Sequence, residues 1–314
     1  MHRTYARGVF FCAEGSAPHL PLSAIGALQG RRITVLTGAG ISTDSGIPDY
    51  RGPDSPARTP MTYQQFVGDP AFRRHYWARN HVGWQHMRRT RPNAGHEALR
   101  ELERRGLLTG VITQNVDLLH TQAGSKTVID LHGTYATVIC LHCGELTTRV
   151  ELDTRLTALN PAFTSLISEI GDVEVAPDAD AVISSTEGFR PADCLVCGGM
   201  LKPYIVYFGE NVPKDRVARA YAMVDSGQAL LVAGSSLTVM SGLRFVRHAA
   251  KAGIPVVIVN RGRTRGDELA TVKLDAGCTE VLNELVAALP ATAVGPSVGF
   301  EPTTTALQER CSTN

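Results

Sequence analysis

Two Cys-x-x-Cys pairs, Cys140/Cys143 and Cys194/Cys197, hold four of the seven cysteines of the 314-residue chain. Two thiolates at that spacing on a turn can grip one ion. Two such turns complete a tetrahedral zinc site with no position left open for a reactant. The donor set therefore points to one structural Zn2+ and not to a catalytic one. Fifty residues lie between Cys143 and Cys194, more than a compact zinc ribbon needs, so the segment between the pairs must loop out. A chain this long and this sparse in cysteine does not depend on a disulfide framework.

A second set of reactive types follows short apolar runs. Gly38-Ala39-Gly40-Ile41-Ser42 follows Arg31–Leu36 through Thr37. Glycines at such a place let backbone N–H groups approach a pyrophosphate. The motif is not a full G-x-G-x-x-G, because Thr43 stands where the third glycine belongs and no acidic strand end follows at the ribose spacing. A merely tight strand–helix turn explains it as well. Gln114, Asn115 and Asp117 follow another run, His132 a third, Gly234, Ser235 and Ser236 a fourth, and Asn260, Arg261 and Gly262 a fifth. Each has a plainer reading: Asp117 as a helix N-terminal charge, His132 as a satisfied core histidine, Ser235 as a cap. Their joint placement at strand ends is what suggests a site, because the carboxyl ends of strands in an open α/β sheet converge on one crevice.

The elements that would position these residues are legible as runs. Continuous apolar stretches at 33–36, 110–113, 128–131, 229–233 and 256–259 read as strands buried on both faces of a parallel sheet. Helical patterns at 94–105, 214–226 and 241–252 end at Gly106, Gly227 and Gly253, as helix stops do. The alternation predicts an α/β, doubly wound parallel sheet. Two stretches interrupt it: residues 44–92, read as a loop and a helical insertion, and residues 134–210, which carry the cysteine pairs. The core is then 25–43, 93–133 and 211–288, with flexible tails at 1–24 and 289–314. A net charge of +1 and 43% hydrophobic residues fit an ordinary globular protein. They offer no broadly basic face for nucleic acid. No apolar run approaches the roughly 18 residues of a membrane span.

The strand-end motifs, taken in order, resemble the sirtuin signature. They are Gly38–Ser42 continuing through Ser45-Gly46-Ile47-Pro48-Asp49-Tyr50-Arg51, Thr113-Gln114-Asn115-Val116-Asp117 with His120, Leu131-His132-Gly133, the cysteine pairs, Phe208-Gly209-Glu210, Gly234-Ser235-Ser236 and Asn260-Arg261. The resemblance spans about 25–288 and looks most like the class II branch, in Tyr76-Trp77-Ala78-Arg79-Asn80 and in the long gap between cysteine pairs. It implies a Rossmann-like NAD-binding core with a zinc module, and NAD-dependent removal of acyl groups from lysine on protein or peptide substrates. In such enzymes the acyl oxygen attacks the ribose as nicotinamide departs. The resemblance implies a cytoplasmic protein if bacterial and a mitochondrial one if eukaryotic. The same NAD site would also suit protein mono-ADP-ribosylation, and a zinc-stabilised binding module without turnover is the reading from another class.

Residue by residue, the resemblance has Gly38, Ala39, Gly40 and Ser42 at the pyrophosphate, and Asp49, Tyr50 and Arg51 on a loop closing over the cofactor. Gln114, Asn115 and Asp117 would hold the nicotinamide ribose, and His132 would be the general base, with Asn115 beside it in catalysis. Gly234, Ser235, Ser236, Asn260, Arg261, Gly262 and Cys278 would bind the adenosine half, Cys278 through its backbone. Phe208, Gly209, Glu210 and Val239 would flank a substrate peptide added as a strand. Two departures concern the acyl pocket: Leu118 stands where the family has glycine, and Tyr50 where it commonly has phenylalanine. Tyr76 and Arg79, at i and i+3, resemble a pair that reads carboxylated acyl groups; an aromatic of the insertion's core beside a surface arginine is the plainer reading.

Overall fold

The computed structural model describes residues 20–52, 55, 59–163, 176–177, 181 and 186–291. Most of both expected tails and part of the segment between the cysteine pairs lie outside the described residues. Six parallel strands form the main sheet: β1 (Ile33–Thr37), β2 (Leu108–Thr113), β3 (Val128–Asp130), β7 (Ala229–Ala233), β8 (Val256–Val259) and β9 (Val272–Leu274). Their order is β3-β2-β1-β7-β8-β9, and every neighbouring pair is parallel. The chain winds outward from β1 in one direction, then returns to start again beside β1 with β7. The doubly wound α/β sheet of the sequence pattern is thus observed.

Alternate residues of each strand feed opposite faces, which is why the strands read as unbroken apolar runs. Ile33, Val35, Leu231, Ala233, Val257 and Val259 pack under α1 (Leu22–Leu28), α4 (Ala94–Arg104) and α9 (Cys278–Ala288). Leu36, Leu230, Val232, Val256 and Ile258 pack under α7 (Lys214–Ser226) and α8 (Met240–Lys251). The boundaries placed at 25 and 288 are corrected outward. Ala24 and Leu28 are buried on α1, and Leu289 belongs to the same core, its carbonyl accepting a hydrogen bond from Arg105. The short strand β9 and helix α1 were missed because neither has enough residues to show a period.

The two insertions form one lobe. A three-stranded antiparallel sheet of β4 (Gly133–Cys140), β5 (Leu146–Thr148) and β6 (Leu201–Ile205), ordered β5-β4-β6, carries α6 (Arg149–Leu159). Helix α2 (Tyr63–Gly68) and the long α3 (Pro70–Arg89) pack against it. Phe66, Tyr76, Trp77 and Met87 share a core with Tyr135, Val138, Leu152, Leu156, Leu201 and Tyr207. Asp69 caps α3 by accepting the Ala71 and Phe72 amides, with Pro70 at the first helical position, where its missing N–H costs nothing.

The main sheet and its site meet at a backbone-to-backbone contact. The Gly40 amide donates to the Gly234 carbonyl at 2.9 Å. Gly234 has φ +67°, and a Cβ there would collide with the Ile41 nitrogen and the Gly40 backbone. Gly234→Ala combines that clash with a left-handed backbone, which costs a non-glycine residue about 1–2 kcal/mol by itself. Thermal unfolding of this variant should show a melting temperature several degrees lower. An unchanged melting temperature would refute the contact.

Candidate active site

The carboxyl ends of β1, β2, β7 and β8, with the segment after β3, open onto one cavity of about 600 Å3. It lies where the winding reverses between β1 and β7, the place where open α/β sheets bind ligands. Four inter-strand spacings separate the end of β3 from that of β8, a width of about 19 Å, which suits two nucleosides joined by a pyrophosphate. Gly38, Ala39, Gly40, Ser42, Asp49, Tyr50, Arg51, Gln114, Asn115, Asp117 and His132 line it, as do Gly234, Ser235, Ser236, Asn260, Arg261 and Cys278. Phe208, Gly209, Glu210 and Val239 line it too.

Three sequence-derived assignments are corrected. Tyr76 and Arg79 are not on the cavity wall. The Tyr76 ring is buried edge-on against Phe66, Trp77 and Tyr207, and its hydroxyl lies 3.1 Å from that of Tyr135. The Arg79 Nε donates to the Ala181 carbonyl at 2.6 Å. Tyr76 thus belongs to the lobe's core, and the half-buried Arg79 is engaged by the Ala181 carbonyl and the His75 ring. Gly262 is a turn residue at φ +75°, its amide donating to Asp275, and it too is absent from the wall.

The two glycines of the first motif also gain a different reason. A Cβ on Gly38 would strike the Gly234 carbonyl and the Ser235 side chain, and one on Gly40 would strike Gly234. They are small so that two strand-end turns can pack together. The cofactor-facing backbone follows from that packing.

At one end of the cavity, polar side chains are ordered by one another. The Asp117 carboxylate accepts from Ser42 Oγ at 2.7 Å, from Asn115 Nδ2 at 3.2 Å and from the Leu119 amide at 2.9 Å. Burial pushes the Asp117 carboxyl up from its ordinary range, while those three donors pull it down. Leu118, between Asp117 and α5 (Leu119–Ala123), sits at φ 65°. That left-handed backbone is one that glycine would adopt without strain. Gln114 donates to Ser235 Oγ at 2.7 Å and to the Thr37 carbonyl at 3.2 Å, tying β2 to β7 across β1.

His132 is held at both nitrogens. Its Nδ1 is 2.8 Å from the Gln114 carbonyl, which only accepts, so the proton sits on Nδ1 and the lone pair on Nε2. Burial pushes its pKa down to about 4, so the ring is neutral near pH 7. Beneath the site His120 Nε2 lies 2.9 Å from Thr37 Oγ1, and the His120 ring packs 4.8 Å from that of His96. Burial lowers both, His96 to about 4 and His120 well below its ordinary value.

The loop over the cavity is shaped by Asp49, whose Oδ1 accepts from the Arg51 and Gly52 amides and from Ser55 Oγ. Tyr50 meets Phe208 edge-on at 6.0 Å. At the far end, Cys278 opens α9 with its thiol pushed up to about 12 by burial, so it is not a nucleophile. Sequence reasoning did not single out Ser241 and Arg244, one turn apart on α8, which also line the cavity. Their only signal was position just past the strand-end Gly234-Ser235-Ser236 motif.

The four paired cysteines converge at the end of β4 and before β6, all sulfurs within 4.8 Å of one another. Cys140–Cys197 and Cys143–Cys194 sulfur distances are 3.5 and 3.7 Å. Those are far beyond a disulfide, and a tetrahedron with 2.3 Å Zn–S bonds has edges of about 3.8 Å. The His142 and Gly199 amides donate to Cys140 and Cys197 sulfurs, as suits thiolates. The donor set fits one structural Zn2+.

The fold and site define a dinucleotide-binding α/β protein with a four-cysteine zinc module. The Sir2 family model matches residues 38–241. Over 258 residues the chain is 68% identical to NAD-dependent protein deacetylase 1 of Mycobacterium avium (strain 104), spanning 82% of this chain and 92% of that protein. It is 54% identical over 252 residues to NAD-dependent protein deacetylase 1 of Streptomyces coelicolor, spanning 79% and 83%. A solved Sir2 structure with p53 peptide and NAD+ superposes with a TM-score of 0.66 at 32% identity, covering 85% of this chain and 97% of that one. The chain belongs to the Sir2 family, the sirtuins.

Two tests follow from the buried groups. His96, His120 and His132 are neutral in the folded chain and take protons at about pH 6.5 once unfolded. Stability is therefore full above pH 6.5 and falls as pH drops toward 4; the urea midpoint should decline over that window, and a flat one would contradict the assignment. Elemental analysis should find one zinc per chain, and strong chelation should lower the melting temperature. A chain equally stable without metal would count against the zinc site.

Proposed function

We propose that the chain is an NAD-dependent protein deacetylase whose general base is His132. The observation that carries this reading is the neutral imidazole with its proton fixed on Nδ1 and its Nε2 lone pair on the wall of the NAD-sized cavity. NAD, when bound, supplies an electrophilic ribose carbon and nicotinamide as leaving group, so that an acetyl-lysine oxygen has a carbon to attack. Support comes from relatives named as NAD-dependent protein deacetylases and from Sir2 structures with NAD+ and with acetylated peptide.

The rest is the work of this chain's residues. Gly38–Gly40 and the paired turn at Gly234 present backbone to the pyrophosphate. Asn115, aligned by Ser42 and Asp117, orients the ribose and carboxamide end. Asn260, Arg261 and the start of α9 at Cys278 receive the adenosine half. Phe208, Gly209 and Val239 offer edges on which an acylated peptide adds as a strand. The Tyr63 amide already bonds the Phe208 carbonyl at 2.9 Å, which stiffens that edge. Glu210 is held by Lys202 at 2.9 Å and by the Tyr207 amide, so it shapes the groove. An amide oxygen is a weak nucleophile, so its alignment and the exclusion of water supply much of the acceleration. With NAD bound, His132 would take the proton of a ribose hydroxyl at Nε2, its low pKa keeping the ring neutral at neutral pH.

Acetyl-lysine peptide plus NAD should release nicotinamide, and His132→Ala should lower turnover by about a hundredfold or more. Undiminished turnover in that variant would overturn the base assignment. Nicotinamide release without acyl-lysine would point instead to ADP-ribosylation. Arg79→Ala should change acetyl and succinyl turnover alike, because Arg79 lies off the cavity wall and bonds the Ala181 carbonyl; a selective loss on succinyl would restore it as a carboxylate reader.

A further inference from the structure

The second nitrogen of His132 is not open to the cavity alone. Ser241 Oγ lies 2.8 Å from His132 Nε2, and both residues line the cavity. Because the Gln114 carbonyl requires the proton on Nδ1, Nε2 accepts and the Ser241 hydroxyl donates. Among the described residues no other hydrogen bond of the Ser241 hydroxyl competes with this one. Ser241 sits in the first turn of α8, and its neighbour Gly242 packs so closely on Gln114 that a Cβ there would lie 2.5 Å from Gln114 Oε1. One helical turn and one strand end therefore clamp the imidazole from both sides.

The charges around the ring make that second clamp matter. Arg216 of α7 and Arg244 of α8 are the charged groups that act on His132, and both disfavour an imidazolium. Asp130, two residues upstream, faces Arg216 and Asp117. When Nε2 gains a proton, its new N–H needs an acceptor in a water-poor pocket, and a serine oxygen can serve by rotating its own O–H away.

We propose that Ser241 is a positioning residue for the base: its hydroxyl holds His132 Nε2 aimed into the cavity and, once the ring has taken the substrate proton, accepts the N–H formed there. In that step the ribose O–H bond breaks and an Nε2–H bond forms. Nε2 has a single lone pair, so the Ser241 O–H turns off it as the substrate hydroxyl arrives; Ser241 keeps its own proton throughout, and its oxygen then accepts the new N–H. The inference rests on the deacetylase reading for its kinetic consequence, though the geometry stands without it.

The test compares wild type, Ser241→Ala and Ser241→Thr, with His132→Ala as reference. Steady-state turnover on acetyl-lysine peptide should fall about tenfold in kcat for Ser241→Ala, with the KM for NAD within about twofold, because the lost hydrogen bond to a charged ring acts after binding. In the free protein at neutral pH, the 15N resonance of His132 Nε2 should move toward that of a nitrogen accepting no hydrogen bond. Ser241→Thr, which keeps the hydroxyl, should restore both. Wild-type kcat in Ser241→Ala, an unmoved Nε2 resonance, or a threonine variant impaired as deeply as alanine would each overturn the proposal. If the wild-type protein releases no nicotinamide, the proposed function fails, and the resonance of the free protein still decides the role of Ser241.

Discussion

The structure depends on one close approach: the turn after β1 lies directly on the turn after β7, backbone on backbone. Gly38, Gly40 and Gly234 leave room for it, and the amide of Gly40 bonds the carbonyl of Gly234. Those two strands are the innermost of the sheet, where the winding changes direction. Holding their ends together brings Asn115 and His132 from one side and Asn260 and Cys278 from the other onto one wall. A methyl group at this seam would part the halves of the site as well as the halves of the sheet.

Around that seam, polarity is ordered by mutual constraint. Ser42, Asn115 and Asp117 satisfy one another, Gln114 bridges β2 to Ser235, and His132 is fixed by a carbonyl and a hydroxyl. Such groups need little rearrangement when a ligand arrives, which is the condition for preorganised catalysis. Charge plays a smaller part. Glu210 is matched by Lys202, and Asp49 is consumed by its own loop. A near-neutral chain can therefore bind a charged dinucleotide through backbone, amide and hydroxyl groups plus a few cations.

The second lobe shows how packing decides whether a polar residue is functional. Tyr76 and Arg79 have the right types and spacing to read an acidic group, yet α3 buries Tyr76 in a core with Phe66, Trp77, Tyr135 and Tyr207 and leaves the half-buried Arg79 bonded to the Ala181 carbonyl. The same core joins the helical insertion to the zinc module, two segments that look independent along the chain. Four cysteines pin the far end of β4 and the approach to β6. They thereby steady the strand that runs on from His132 to Cys140.

Much was legible without coordinates. Apolar runs buried on both faces identified five of the parallel strands, because a strand with two covered faces has no polar alternation to hide it. The Cys-x-x-Cys spacing identified the metal donors, because chelation by a turn is a local matter. Residues directly after strands identified the part of the cavity wall that each strand end supplies, since parallel strands place their carboxyl ends together whatever else the chain does. What only the tertiary structure decided were contacts between segments with no local signature. These include the glycine seam between turns almost 200 positions apart, the burial that keeps His96, His120 and His132 neutral, and the inward face of α3. The approach of Ser241 to His132 across 109 positions belongs with them. Local sequence carries period, turn chemistry and chelate spacing; which side chains end up within 3 Å of one another depends on how helices and strands stack, and only the packed core settles that.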